Sequence, residues 1–113
     1  MDVKELVLFL KILADETRLR IINIISKKKT SVTDICYILD MNQSAVSKHL
    51  VKLRLMGVVK DVREGSFIMY SLNRQNDQYV KIVRFLIRNF GSVQTFENDL
   101  NRLNELIEQS KKQ

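Results

Sequence analysis

The stretch "SVTDICYILDMNQSAVSKHLVKLRLMG", residues 31–57, decides the fold. Ser31 is a helix N-cap, and Asp34 three positions on makes an acidic variant of the capping box. Val32, Ile35, Cys36 and Leu39 then recur at i, i+3, i+4, i+7, the apolar stripe of a helix. "MNQ" (41–43) is a short turn. A second helix, "SAVSKHLVKLRLMG", runs from Ser44 and stops at Gly57. Val46, Leu50 and Leu53 face inward, while Ser44, Ser47, Lys48, Val51 and Lys52 face roughly the other way. So short a turn forces the two helices to cross steeply. A steep pair whose second helix shows a polar, basic outer face describes a helix-turn-helix, expected over about 31–57.

The segment that follows, about 58–72, changes to β character. Val58, Val59 and Val62 precede "EG" (64–65), and Phe67, Ile68, Met69 and Tyr70 follow it. A two-residue turn ending in Gly65 between such runs predicts a two-stranded hairpin, with Lys60 and Arg63 on its first strand. On the N-terminal side, "DETRLRIINIISKKK" (15–29) predicts a helix capped by Asp15, with lysines at its C-terminal end, where cations suit the helix dipole. Before it, residues 2–14 carry Val3, Leu6, Val7, Leu8, Phe9, Leu10, Ile12 and Leu13 on nearly all sides. One core needs one stripe, so the remainder calls for a second surface. "NDQYVKIVRFLIRNF" (76–90) predicts another helix. In the last, about 93–111, Val93, Phe96, Leu100, Leu103 and Ile107 step by 3, 4, 3, 4, an a/d seam suited to packing on a copy of itself.

The 113 residues bound the chain to one domain, 1–113. With three Gly and no Pro, it reads as mainly α, α+β in class. Nineteen Lys and Arg against thirteen Asp and Glu leave +6. Residues 1–26 sum to zero, 27–64 to +4, 65–91 to +3 and 92–113 to −1, so the excess surrounds the helix-turn-helix. That distribution suits a polyanion. One Cys excludes an intrachain disulfide. No apolar run reaches membrane-spanning length and no signal peptide is recognised, so a soluble cytoplasmic protein is expected, with no membrane partner.

Three segments together resemble the ArsR family of winged helix-turn-helix repressors. "LKILADETRLRIINIIS" (10–26) is similar to that family's opening "ALADxTRLRIL". "QSAVSKHLVKLRLMGVV" (43–59) is similar to its recognition helix "QSxVSxHLxxLRxxGLV", and "REGSFIMYSL" (63–72) to its wing "REGRxVYYxL". Beyond Leu72 only helical character matches. The resemblance implies a homodimer whose first and last helices form the interface, and two recognition helices in successive major grooves of an inverted-repeat operator. The over-apolar first helix and the seam of the last agree with this, and Leu6, Phe9, Leu10, Phe96, Leu100, Leu103 and Ile107 are the interface candidates. Two-fold symmetry puts the half-sites roughly 34 Å apart.

Gln43, Ser44, Ser47, Lys48 and Lys52 are the candidate DNA readers, joined by Lys60 and Arg63 on the wing. Gln pairs with adenine, Ser reaches base edges or phosphates, and Lys serves guanine or phosphate. A solvated helix face is the plain alternative for the first five, and a charged strand edge for the wing pair. His49 lies on the inner flank, where a structural hydrogen bond is expected. The resemblance breaks at sensing. Where many relatives carry "ELCVCDLC", this chain has "KTSVTDIC" (29–36), with Ser31 and Thr33 in place of the first two cysteines. Soft ions want about three or four thiolate or imidazole ligands. One Cys and one His per chain cannot supply them, so no metal and no cofactor are expected. Cys36 is expected to pack inward, with a redox switch as the sharper alternative. No catalytic residues are expected: Ser47 and His49 are two apart on one helix and diverge. The expectation is a homodimeric, sequence-specific DNA-binding repressor of transcription, not an enzyme. A protein-interaction module and a constitutive or architectural DNA binder are the alternatives.

Overall fold

A computed structural model describes residues 1–112. Six helices and three short strands follow the chain in the order α1 (Val3–Leu13), α2 (Glu16–Lys27), β1 (Thr30–Ser31), α3 (Val32–Leu39), α4 (Gln43–Met56), β2 (Val59–Glu64), β3 (Phe67–Leu72), α5 (Asp77–Phe90) and α6 (Gln94–Lys111). This is a winged helix-turn-helix: α3 and α4 form the crossing pair, and β2 and β3 form the wing.

Side chains placed three residues ahead start most of these helices. Asp2, Asp15, Ser31, Asn42 and Asn76 accept the backbone N–H of Glu5, Arg18, Asp34, Ala45 and Tyr79. Each satisfies one of the donors that a helix N-terminus leaves unpaired. The turn between α3 and α4 depends on the way both helices end. The N–H of Met41 donates to the Cys36 carbonyl and that of Asp40 to Tyr37, with Asp40 in the left-handed region at φ 54°. At the far end of α4, the N–H of Val58 donates to Leu53 and that of Gly57 to Arg54, with Gly57 at φ 84°. Both are the paired bonds of a Schellman ending. Glycine bears that φ without cost, whereas Asp40 bears it with a Cβ. The reversal therefore pivots on Asp40, and Gln43 is the first residue of α4 rather than the last of the turn.

The sheet also departs from expectation. It has three strands in the order β1-β3-β2, all antiparallel, because Thr30 and Ser31 pair with Tyr70 and Met69. Two residues carry no readable alternation, so this strand leaves no mark in the sequence pattern. The hairpin turn is Gly65-Ser66, one residue later than "EG", since Glu64 pairs with Phe67. Gly65 takes φ 63° at the first central position, where a type II′ turn requires it.

The core joins Ile21, Ile24 and Ile25 of α2 to Ile35 and Ile38 of α3 and to Val46, Leu50 and Leu53 of α4. Truncating a residue such as Leu50 to Ala would cost about 2–5 kcal/mol. Phe9 of α1 is 0 % exposed and stacks on Tyr79 of α5 with ring centroids 4.1 Å apart. Leu103 of α6 is 3 % exposed, and α6 packs on α2 and α3 of its own chain. These two corrections bear on the expected interface. Phe9 and Leu103 are core residues with no surface left for a partner, Leu100 and Ile107 are half-buried against the same core, and Phe96 is half-buried. At Leu103 the seam of the last helix is taken up within its own chain, where α6 packs on α2 and α3.

A buried ion pair fixes that helix. The guanidinium of Arg20 donates through Nε and Nη2 to the two carboxylate oxygens of Asp99, each at 2.9 Å. Those hydrogen bonds hold the Arg20 pKa above its ordinary value, against the opposing effect of burial. Arg102 adds a bond from Nη1 to the Ile38 carbonyl at 2.9 Å. Among the described residues, no helix is long and apolar enough to cross a membrane.

Candidate nucleic-acid interface

Helix α4 is anchored on one side only. Val46, Leu50 and Leu53 are buried, and the opposite side presents Ser44, Lys48, Val51, Lys52 and Leu55 to solvent. At 3.6 residues per turn these five fall on one continuous arc. Ser47 is half-buried at its margin, in line with exposed Gln43 and Arg54. On this flank Arg54 lies near enough to Tyr70 on β3 for its charge to act on the hydroxyl. Burial pushes the Tyr70 pKa up, and Asp61 adds to that while Arg54 opposes it. The flank of α4 with Gln43, Ser47 and Arg54 therefore adjoins the wing.

The pleat of the hairpin sorts its two cations. Directly opposed residues share a face, so Arg63 and Ile68 lie with Asp61, Tyr70, Val59 and Leu72. Val59, Tyr70 and Leu72 of that face are buried, and α4 packs against β2. Arg63 extends the same face beyond the core, where its Nε donates to the Gly65 carbonyl at 3.3 Å. Lys60 opposes Ser71 and lies on the other face with Val62 and Glu64. The structure thus brings Arg63 to the face shared with α4 and separates Lys60 from it. Period 2 carries this distinction, since residues 60 and 63 differ by an odd number. Glu64 accepts an exposed salt bridge from Lys29 at 2.6 Å, which ties the wing tip to the segment after α2.

His49 occupies a structural position. Arg18 Nη1 lies 3.1 Å from His49 Nδ1, and a guanidinium can only donate, so Nδ1 accepts and the ring proton sits on Nε2. Nε of the same Arg18 donates to the Ile12 carbonyl at the end of α1. Asp15 completes the cluster, with Oδ2 at 3.0 Å from the Arg18 N–H and 3.7 Å from His49 Nδ1. Burial alone would raise the Asp15 pKa. The backbone N–H groups of Arg18 and Thr17 and the charge of Arg18 outweigh it and hold the carboxyl below its ordinary value. Asp15 and Arg18 therefore tie the end of α1 and the start of α2 to α4.

Cys36 is half-buried and unpaired, and desolvation raises its pKa. That lowers the thiolate fraction on which oxidation depends, and favours the packing role. Among the described residues, no three His, Cys, Asp or Glu side chains converge as a metal site would require.

The sequence pattern missed one feature of functional weight and anticipated another without placing it. Arg54 was readable only as a helix-end cation until the wing strand was placed beside it. The second is an exposed apolar surface. Val3, Val7 and Leu10, with half-buried Leu6, form one stripe on α1, and Phe85 stands 62 % exposed on α5. The Phe9–Tyr79 stack holds these two helices together.

A family model described as "Bacterial regulatory protein, arsR family" matches residues 15–61. The arsenical resistance operon repressor of Escherichia coli is 42 % identical over 64 residues, 56 % of this chain. That match spans 55 % of the Escherichia coli protein, so the chain covers little more than half of that relative. The transcriptional repressor PagR of Bacillus anthracis is 42 % identical over 78 residues, covering 68 % of this chain and 76 % of that one. Among solved structures, HlyU from Vibrio cholerae superposes with a TM-score of 0.72 at 29 % identity, over 80 % of this chain and 98 % of that one.

Proposed function

The chain belongs to the arsR family of bacterial regulatory proteins, and on that premise we propose that it is a homodimeric, sequence-specific DNA-binding repressor of transcription. Helix α4 enters the major groove of each half-site, and the tip of the wing follows the flanking backbone. One observation carries this reading: α4 is buried along one side and exposes Ser44, Lys48 and Lys52 along the other, with Arg63 of the wing on the adjoining face. Ser44, Ser47 and Gln43 reach base edges, and Val51 is suited to a thymine methyl. Lys48, Lys52, Arg54 and Arg63 neutralise phosphates, which sets register and affinity. Lys60, on the far face of the hairpin, adds only to the general field. The two protomers meet through the outward stripes of α1 and α5, and the operator is an inverted repeat whose half-sites lie roughly 34 Å apart. The regulator works where its DNA lies, in the cytoplasm, and silences a promoter by occupying it.

Salt dependence tests this. Four cations per protomer give eight per dimer, and a full set of phosphate contacts gives a log–log salt slope near about −7. Lys48→Ala removes two per dimer and makes the slope shallower by about 1.8. Fluorescence anisotropy on the chain's own promoter fragment and on a scrambled duplex reads both quantities. Equal affinity for the two duplexes, or an unchanged slope in Lys48→Ala and Arg63→Ala, refutes the docking surface. Binding to a protein partner instead would then be pursued.

A further inference from the structure

Between α2, α5 and the start of α6 lies a cavity of about 270 Å³, walled by Leu19, Ile22, Val83, Ile87 and Phe96 and floored by Asn23. Every other side chain of the lining is apolar. Phe90 and Val93, both more than two-fifths exposed, stand at its edge and give it an opening to solvent. Asn23 is 2 % exposed. Its Nδ2 donates to the Phe96 carbonyl at 3.3 Å, but its Oδ1 has no partner, the single such buried side-chain atom among the described residues. A buried polar atom left without a hydrogen bond costs about 1–3 kcal/mol, so its retention calls for an explanation. Water explains it poorly, because a buried water needs two to four polar partners and this lining offers one polar side chain.

We propose that this cavity is a binding site for a small, uncharged, bicyclic aromatic compound carrying one N–H or O–H donor. The size follows from volume: an engineered apolar cavity of roughly 150 Å³ holds benzene, and this one is nearly twice as large. The apolar wall excludes charge, because an ion there would be desolvated without a counter-ion. The single donor follows from Asn23 Oδ1, which accepts it. The position also suits regulation, an extension that rests on the DNA-binding reading above. One wall is α5, which carries the exposed Phe85, and the other is α2, which packs on α4. An occupant that parts α5 from α2 changes the separation of the two recognition helices, and couples to DNA only through its different affinity for the two spacings.

Indole and 2-naphthol are the probes, with naphthalene as the donor-free control. The chain contains no Trp, so indole fluorescence excited beyond the tyrosine band is read against a dark background. Saturable binding of indole to the full chain is expected, roughly five- to tenfold tighter than naphthalene, the worth of one hydrogen bond. Asn23→Leu keeps the bulk, removes the acceptor and abolishes that preference. Ile87→Trp fills the cavity from a half-buried wall position and abolishes binding of both, read by isothermal titration calorimetry because the new Trp fluoresces as indole does, and circular dichroism checks that it is folded. No saturable indole binding up to its solubility limit overturns the proposal, and so does unchanged binding in Ile87→Trp. Anisotropy on promoter DNA is measured in parallel. A protein that binds DNA but not indole loses this inference alone, and one that binds indole but not DNA loses the repressor reading alone.

Discussion

Placing a charge on α5 separates two accounts of how the protomers meet. Phe85 is 62 % exposed in the single chain, so Phe85→Glu leaves the core intact. An aromatic side chain offers roughly 150–250 Å², which puts the exposed part near about 120 Å². At about 25 cal/mol per Å², full coverage of that area in a dimer is worth about 3 kcal/mol per protomer. An isologous interface uses the residue twice. With half of the area covered, the two copies together contribute about 3 kcal/mol, roughly a hundredfold in the dimer Kd. The desolvated glutamate adds to this. Sedimentation equilibrium across a dilution series is expected to show a dimer for the parent chain and a monomer for Phe85→Glu at micromolar concentration. Thermal unfolding of the parent should shift with concentration, and that of the variant should not. A variant that remains dimeric would refute the α1–α5 surface. The outer face of α6 would then be the one to examine, since Leu103 and its neighbours already face inward.

Three further outcomes follow from the structure. Asp99→Ala strands the Arg20 guanidinium, whose side chain is 20 % exposed, and should cost about 3 kcal/mol in urea unfolding, the lower end for a broken buried pair; replacing both partners by apolar residues of similar volume should recover most of it. Gly57→Ala should destabilise by about 1–2 kcal/mol, because the space around it is open and only its φ of 84° resists a Cβ, whereas Asp40→Gly at φ 54° should stabilise by up to about 1 kcal/mol; equal signs in chemical denaturation would contradict the two endings described for α3 and α4. Asp15 has a folded-state pKa below 3.8, so its contribution is present above that value and is lost as pH falls through the folded pKa; Asp15→Asn should flatten this part of the acid limb of a stability–pH curve, and an unchanged limb would show that the Arg18–His49 cluster does not hold the carboxylate.

Much of this architecture was legible from residue pattern, because its causes are local. Ser31 and Asp15 announce helix starts by side-chain chemistry three residues from the donor they satisfy. Gly57 ends a helix because the left-handed conformation costs it no Cβ clash. Val46, Leu50 and Leu53 mark the inner side of α4, which by subtraction exposes Ser44, Lys48 and Lys52. The resemblance of residues 10–72 identified the hairpin as a wing, and the fold and the family agree with that.

Where the pattern misled, the deciding contact lay far along the chain. An apolar seam states that a helix must bury one side but not against what. For α6 the answer came from Arg20–Asp99 and from α2 and α3, across a separation of 79 residues, and it put Leu103 of the expected seam into the core. Phe9 met the same fate through Tyr79. The two-residue strand β1 exists only because β3 offers it an edge. Nor could spacing foresee a cavity that closes only when three helices pack, or an asparagine left in it with a free oxygen. The sequence by itself determined the helices, the caps at Asp15 and Ser31 and the outward face of α4, since period and capping act within a few residues. Tertiary structure decided which apolar surfaces were already taken, because burial is a property of a packed pair and not of either partner alone.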